Sequence, residues 1–141
     1  MTIVIASDHG GFELKAMLIK RLHQLRHLVE DLGCHSPDSV DYPPYAEAVC
    51  QKVIGGCEAG ILICGTGIGM SIAANRDRRI RAALCHDEYT ARLSREHNNA
   101  NILCLGARVV GPGVAEGIVE TWLATEFAGG RHLERIRQFS D

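Results

Sequence analysis

Cys64 closes a short apolar run, Ile61-Leu62-Ile63-Cys64, and Gly65-Thr66-Gly67-Ile68-Gly69 follows at once. A thiol at the mouth of a glycine loop is a candidate base or nucleophile, because the next helix brings its positive end to that spot. Three alternating glycines let the backbone come close to a ligand and turn its N–H groups inward. Other groups able to do chemistry are Asp8 and His9 in S-D-H-G-G, Thr66 in the loop, and His97-Asn98 with Arg108 further on. Arg131 and Arg135 are four residues apart, which puts them on one face of any helix there. Each group also has a structural alternative. Cys64 could be a buried structural thiol, Asp8-His9 a capping pair, Thr66 a turn hydrogen bond, His97 a helix C-terminal cap, and the arginines a solvated basic face. A thiol, a carboxylate, two histidines, an anion cradle and paired guanidinium groups together suit proton transfer on a phosphorylated small molecule.

The elements that must position these groups alternate between two patterns. Thr2–Ala6, Leu28–Leu32, Ile61–Cys64, Arg81–Cys85 and Asn101–Leu105 read as strands, most of them short apolar runs of the kind buried in a parallel sheet. Phe12–His27 carries Leu14, Met17, Leu18, Leu22 and Leu25 at helical spacing. Further helices are expected over Tyr45–Ile54, from Met70 to Ala74, over His86–His97 with Asp87 and Glu88 in its first turn, and after Gly111-Pro112-Gly113, where Val114, Ile118, Trp122 and Leu123 fall. Cys34–Pro44 is a loop, and Arg131–Phe139 forms a helical tail after Gly129-Gly130. Strand–helix alternation predicts an α/β fold, a three-layer Rossmann-like arrangement with a five-stranded parallel sheet, as one domain over 1–141. In such sheets ligands bind outside the carboxyl ends of the strands, where strand order reverses. That rule would gather Asp8-His9, Cys64-Gly65-Thr66, and with them His97-Asn98 and Arg108.

A net charge of −2 carries no nucleic-acid footprint. The charge-free run 59–75 is too short and too rich in glycine to span a bilayer, and Asp8 interrupts any secretory leader. Six cysteines form no C-x-x-C pair, so a metal site has no support, and reduced thiols in a cytoplasmic protein are expected.

Competing chemistries fit less well. A dinucleotide oxidoreductase needs glycine where Met70 stands, with its loop after the first strand rather than the third. A P-loop enzyme needs a Lys-Ser/Thr pair that the loop lacks. A non-catalytic nucleotide-binding module leaves Cys64, His97 and the arginines without work. A Cys–His hydrolase would pair Cys64 with His97, yet paired arginines suit a phosphate better than an amide or ester. Proton transfer on a sugar phosphate remains.

Five segments, S-D-H-G-G at 7–11, I-C-G-T-G-I-G-M-S-I-A-A-N at 63–75, R-E-H-N-N-A-N at 95–101, L-G-A-R-V-V-G at 105–111 and G-G-R-H at 129–132, carry a resemblance to a known family. The chain resembles the type B ribose-5-phosphate isomerases, a family that includes allose- and galactose-6-phosphate isomerases. The resemblance implies an intramolecular oxidoreductase, an aldose–ketose isomerase of the pentose phosphate pathway. It implies no metal or cofactor, a Rossmann-like sheet, and sites in the clefts of a homodimer or of a dimer of such dimers. By the same resemblance Cys64 would take the carbon-2 proton of the open-chain aldose, Thr66 would move hydroxyl protons, and N–H groups from Gly65 through Gly67 to Gly69 would stabilise the enediolate. Asp8 and His97 would open the furanose ring, with Asn98 holding the sugar. His9, Arg131 and Arg135 would bind the phosphate, helped by Arg108. Some relatives use a glutamate just after the last loop glycine; here Met70 stands there, which leaves Cys64 as the base. Galactose-6-phosphate isomerases divide these residues between two unlike subunits, whereas this chain holds the full set and would be self-sufficient as a homodimer. Five- and six-carbon sugars share the chemistry.

Overall fold

The computed structural model describes residues 1–141 and places the five strands in one parallel sheet. In chain order they are β1 (Thr2–Ser7), β2 (Leu28–Asp31), β3 (Ala59–Cys64), β4 (Ala82–Leu84) and β5 (Ile102–Gly106). Their spatial order is β2-β1-β3-β5-β4. The helices are α1 (Phe12–Gln24), α2 (Pro43–Ile54), α3 (Ile68–Ala74), α4 (Glu88–Glu96), α5 (Pro112–Ala124) and α6 (Arg131–Ile136), with a short 3-10 turn, His9–Gly11, ahead of α1.

Strand order decides the layers, because right-handed crossovers send a helix to one face when the chain steps left and to the other when it steps right. The steps β1 to β2 and β4 to β5 run the same way, so α1 and α4 share a face. Alternate side chains then sort into two cores. Ile3, Ile5, Ile61, Ile63, Leu103 and Leu105 pack with Leu18, Leu22, Ile118 and Trp122 of α1 and α5. Val4, Ala6, Leu62, Ile102 and Cys104 pack with Val49 and Cys50 of α2 and with Met70 of α3. Both faces are covered, which is why the strands read as apolar runs rather than alternating ones. Edge strand β4 has only three residues, and the Asn75 side chain bonds the N–H and C=O of Ala82 at 2.8 and 2.9 Å, occupying the polar groups of its first residue. No helix is long and apolar enough to cross a membrane.

Helix limits differ from the sequence expectation for identifiable reasons. α1 ends at Gln24 instead of His27, because Arg26 takes φ 66° and His27 N–H bonds Leu22 C=O at 3.0 Å. That closing turn usually carries glycine, and an arginine gives no warning of it. α2 begins two residues early, with Pro43 and Pro44 in a first turn that needs no N–H donors. Asp87 is the N-cap of α4 rather than part of its first turn, accepting from Thr90 N–H at 2.7 Å. α3 starts at Ile68, and α6 stops at Ile136 rather than Phe139.

Candidate active site

Cys64 ends β3, and its outgoing helix goes to the α2/α3 face while β1 and β5 on either side send theirs to the other. The three connections part above Cys64, which is the place where open α/β sheets bind ligands. The thiol is 5% exposed, and the Gly67 N–H donates to Sγ at 3.1 Å. Gly67 makes that contact in the left-handed region, φ 79°, where a Cβ would stand 2.5 Å from Leu84 and 2.9 Å from the Leu105 carbonyl carbon. Glycine is the residue that fits. The sequence expectation gave all three loop glycines to a developing oxyanion. In the structure Gly67 faces the sulfur instead, and Ile68 N–H donates to Thr66 Oγ1 at 3.2 Å. The N–H groups of Gly65, Thr66, Gly69 and Met70 donate to no protein acceptor; Met70 is fully buried, so those of Gly65, Thr66 and Gly69 are the ones a ligand can reach.

The neighbouring strand ends converge on this loop. Ala107 and Arg108 N–H groups bond the carbonyls of Cys64 and Gly65 at 2.9 Å each, and the Arg108 guanidinium runs alongside Gly65. On the β1 side Asp8 N–H bonds Ile63 C=O at 3.2 Å. Asp8 is 8% exposed and accepts from Gly11 N–H through Oδ1 at 3.2 Å, so it caps the 3-10 turn and keeps its second oxygen. Gly10 lies between that carboxylate and the Gly65 amide. His9 Nδ1 accepts from Val40 N–H at 3.1 Å. In the neutral ring the proton then sits on Nε2, which becomes a donor.

Residues His97, Asn98, Arg131 and Arg135 lie elsewhere. In a parallel sheet α4 must return from the carboxyl end of β4 to the amino end of β5, and His97 is its C-cap. Asn101 C=O accepts from Gly60 N–H at 3.1 Å, near the start of β3. Four residues of strand separate Gly60 from Cys64, roughly 13 Å at about 3.3 Å each. α5 returns the same way, and Glu96 C=O accepts from Ala128 N–H at 3.0 Å, which docks the segment leading to α6 beside His97. The His97 and His132 rings stack, centroids 4.3 Å apart and 13° from parallel. Desolvation first, then His97, Arg131 and Arg135, lowers the His132 pKa from its ordinary value, with Glu96 opposing. Arg131 and Arg135 are exposed and share one face of α6.

The candidate residues therefore fall into two groups at opposite ends of the sheet. Asp8, His9, Cys64, Thr66, the loop amides and Arg108 make the first; His97, Asn98, Arg131 and Arg135 make the second. The switch-point rule gathers Arg108 as expected but not His97-Asn98, because a helix between parallel strands reverses direction. No group of three or more His, Cys, Asp or Glu is arranged to hold a metal. Sequence reasoning missed Tyr42, whose ring packs so closely on Gly69 that a Cβ there would stand 2.6 Å from it. It also missed Val40 and His132, whose roles come from contacts between distant segments with no local pattern. The thiols of Cys50, Cys85 and Cys104 are all pushed up by burial, Cys50 to about 11.

The model of the Ribose/Galactose Isomerase family matches residues 3–139. Ribose-5-phosphate isomerase B of Escherichia coli is 47% identical over 135 residues, 95% of this chain and 91% of that protein. The solved structure of ribose-5-phosphate isomerase B from Clostridium thermocellum superimposes with TM-score 0.97 at 52% identity, covering 98% of this chain and 94% of that one. Ribose-5-phosphate isomerase B from Mycoplasma genitalium, solved with bound ribulose-5-phosphate, gives TM-score 0.93 at 44% identity over 97% and 92% of the two chains.

Proposed function

The chain belongs to the ribose/galactose isomerase family, and from that premise we propose that it interconverts ribose 5-phosphate and ribulose 5-phosphate without a metal or cofactor. The observation that carries the mechanism is the Cys64 sulfur, oriented by the Gly67 N–H at 3.1 Å at the mouth of a loop with unpaired amides. Cys64 acts as base. It takes the carbon-2 proton of the open-chain aldose, the carbonyl electron pair moves to oxygen-1, and an enediolate forms. Thr66 passes the hydroxyl proton between oxygen-2 and oxygen-1, and Cys64 returns its proton to carbon-1 to give the ketose. Free loop N–H groups stabilise the charge that develops on the oxygens. Asp8 and His97 move the protons that open the ring, and Asn98 holds the sugar. His9 Nε2, Arg108, Arg131 and Arg135 bind the phosphate, the arginines in the forked geometry that suits its oxygens.

No single sugar carbon lies within hydrogen-bond reach, roughly 2.6–3.2 Å, of groups at both ends of one sheet. A working site is thus built between two copies, the partner subunit supplying the His97 half to this chain's Cys64 half. Apolar side chains suited to such a contact flank β4 in sequence: Ile68 and Ile72 on α3 and Tyr89 on α4 are 51%, 61% and 61% exposed. Six free cysteines suit a reducing compartment, and we assign the enzyme to the cytoplasm.

The test is turnover of ribose 5-phosphate and allose 6-phosphate by the purified protein with a chelator present. Preferential turnover of ribose 5-phosphate is expected. Turnover of the six-carbon sugar alone would reassign the substrate, and loss of activity in chelator would overturn the metal-free mechanism.

A further inference from the structure

Lys15 is a charged side chain that the proposed chemistry leaves without a role. It is 2% exposed, on the inner face of α1 among Leu14, Leu18 and Leu22. Its Nζ donates to Asp31 Oδ1 at 2.6 Å and to the Cys34 carbonyl at 2.7 Å. Packing alone does not call for this arrangement, because burying a lysine amine against a partly exposed Asp31 adds little over an apolar residue of the same volume. What such a pair can do is fix a geometry.

The fixed segment leads directly to the first half-site. Past β2 the chain runs beside the end of β1: Ser7 N–H bonds Gly33 C=O, and Cys34 N–H bonds Ser7 C=O, both at 2.8 Å. Asp31 Oδ1, already held by Lys15, also accepts from Gly33 N–H at 2.9 Å. Gly33-Cys34 is thereby clamped between β1 and α1, one residue away from Asp8. The following strap, 35–42, crosses the carboxyl ends of β1 and β3. It touches down twice, where Val40 N–H meets His9 Nδ1 at 3.1 Å and where the Tyr42 ring meets Gly69. Its residues between Cys34 and Val40 share one side-chain hydrogen bond, Asp38 N–H to Ser36 Oγ at 3.3 Å. The Val40 amide therefore hangs between two fixed ends, the clamp at Gly33-Cys34 on one side and Tyr42 with the first turn of α2 on the other.

We propose that Lys15 is a positioning residue for substrate phosphate: it anchors the strap whose Val40 N–H holds His9 with Nε2 as the donor. The proposal rests on the reading of His9 as a phosphate ligand. It requires Lys15 and Val40 to act through the same ring, so their effects should not add.

The experiment compares wild type, Lys15→Met, Val40→Pro, the double variant and His9→Ala. Steady-state kinetics with ribose 5-phosphate are combined with ¹⁵N spectra of the His9 ring. Lys15→Met keeps the volume, and Asp31 retains access to water. We expect Lys15→Met and Val40→Pro each to raise KM about tenfold, the size of one hydrogen bond to a charged group, with kcat little changed. The double variant should be no worse than either single one, and the His9 ring should lose its single Nε2-protonated form in all three. An unchanged KM and spectrum in Lys15→Met, alongside a raised KM in His9→Ala, would overturn the positioning role and leave the phosphate reading intact. An unchanged KM in His9→Ala would overturn the reading beneath it, and the proposal with it. If Lys15→Met does not fold, the wild-type spectrum decides: a His9 protonated at Nδ1 refutes the proposal.

Discussion

Mixing two inactive variants of this chain should restore activity, provided that each inactivates a different half-site. Cys64→Ala removes the proposed base, a loss of roughly 10²–10⁴-fold, and His97→Ala removes the proposed ring-opening group at the other end of the sheet. With roughly 13 Å of β3 between the two ends, each site in a symmetric dimer takes Cys64 from one copy and His97 from the other. In a mixed dimer one site then carries both substitutions and the other carries neither. If equal amounts are co-expressed and pair at random, half of the dimers are mixed and one of their two sites is intact, so about a quarter of wild-type turnover returns. The assay is turnover of ribose 5-phosphate by the mixture against each variant alone. Cys64→Ala with Thr66→Ala is the control, because both substitutions fall in the first half-site and no pairing yields an intact one. A Cys64→Ala/His97→Ala mixture no more active than the mean of its components would refute the division of the site between subunits.

Cys64→Ala should still bind ribose 5-phosphate, and an alkylating agent should inactivate wild type with protection by substrate. Cys50, Cys85 and Cys104, their thiols pushed up by burial, should label more slowly in a mass-spectrometric time course at neutral pH. Gly67→Ala should lower both activity and melting temperature, since its Cβ would meet Leu84 and Leu105 at a left-handed backbone position; calorimetry with the kinetic assay checks this. Arg135→Ala should raise KM strongly, and free phosphate should inhibit it less than wild type. His132 should titrate below an ordinary histidine by NMR. Because the neighbouring Arg131 and Arg135 disfavour its charged form, Arg131→Ala should move that midpoint upward.

Much of the candidate site was legible because it is local. The strand–glycine loop–helix unit around Cys64, the polar turn at Asp8-His9, and the spacing of Arg131 and Arg135 are each contained within a few residues. So were the element types, since apolar runs and helical periodicity follow from burial on one or two faces. Helix ends were less legible where the chain used an unexpected residue, as with Arg26 at a left-handed position. The chemistry-bearing residues are therefore determined by the sequence. Their grouping is not. Strand order β2-β1-β3-β5-β4 comes from pairing between distant segments, and it alone decides that the connections above β1, β3 and β5 part around Cys64. The reversal of α4 and α5 carries His97, Arg131 and Arg135 to the far end of the sheet. Contacts such as Gly67 N–H to Cys64, Val40 N–H to His9 and Lys15 to Cys34 exist only once those segments have packed. Residue type and spacing set which groups can transfer a proton or hold a phosphate, while long-range pairing and crossover handedness set which of them can meet.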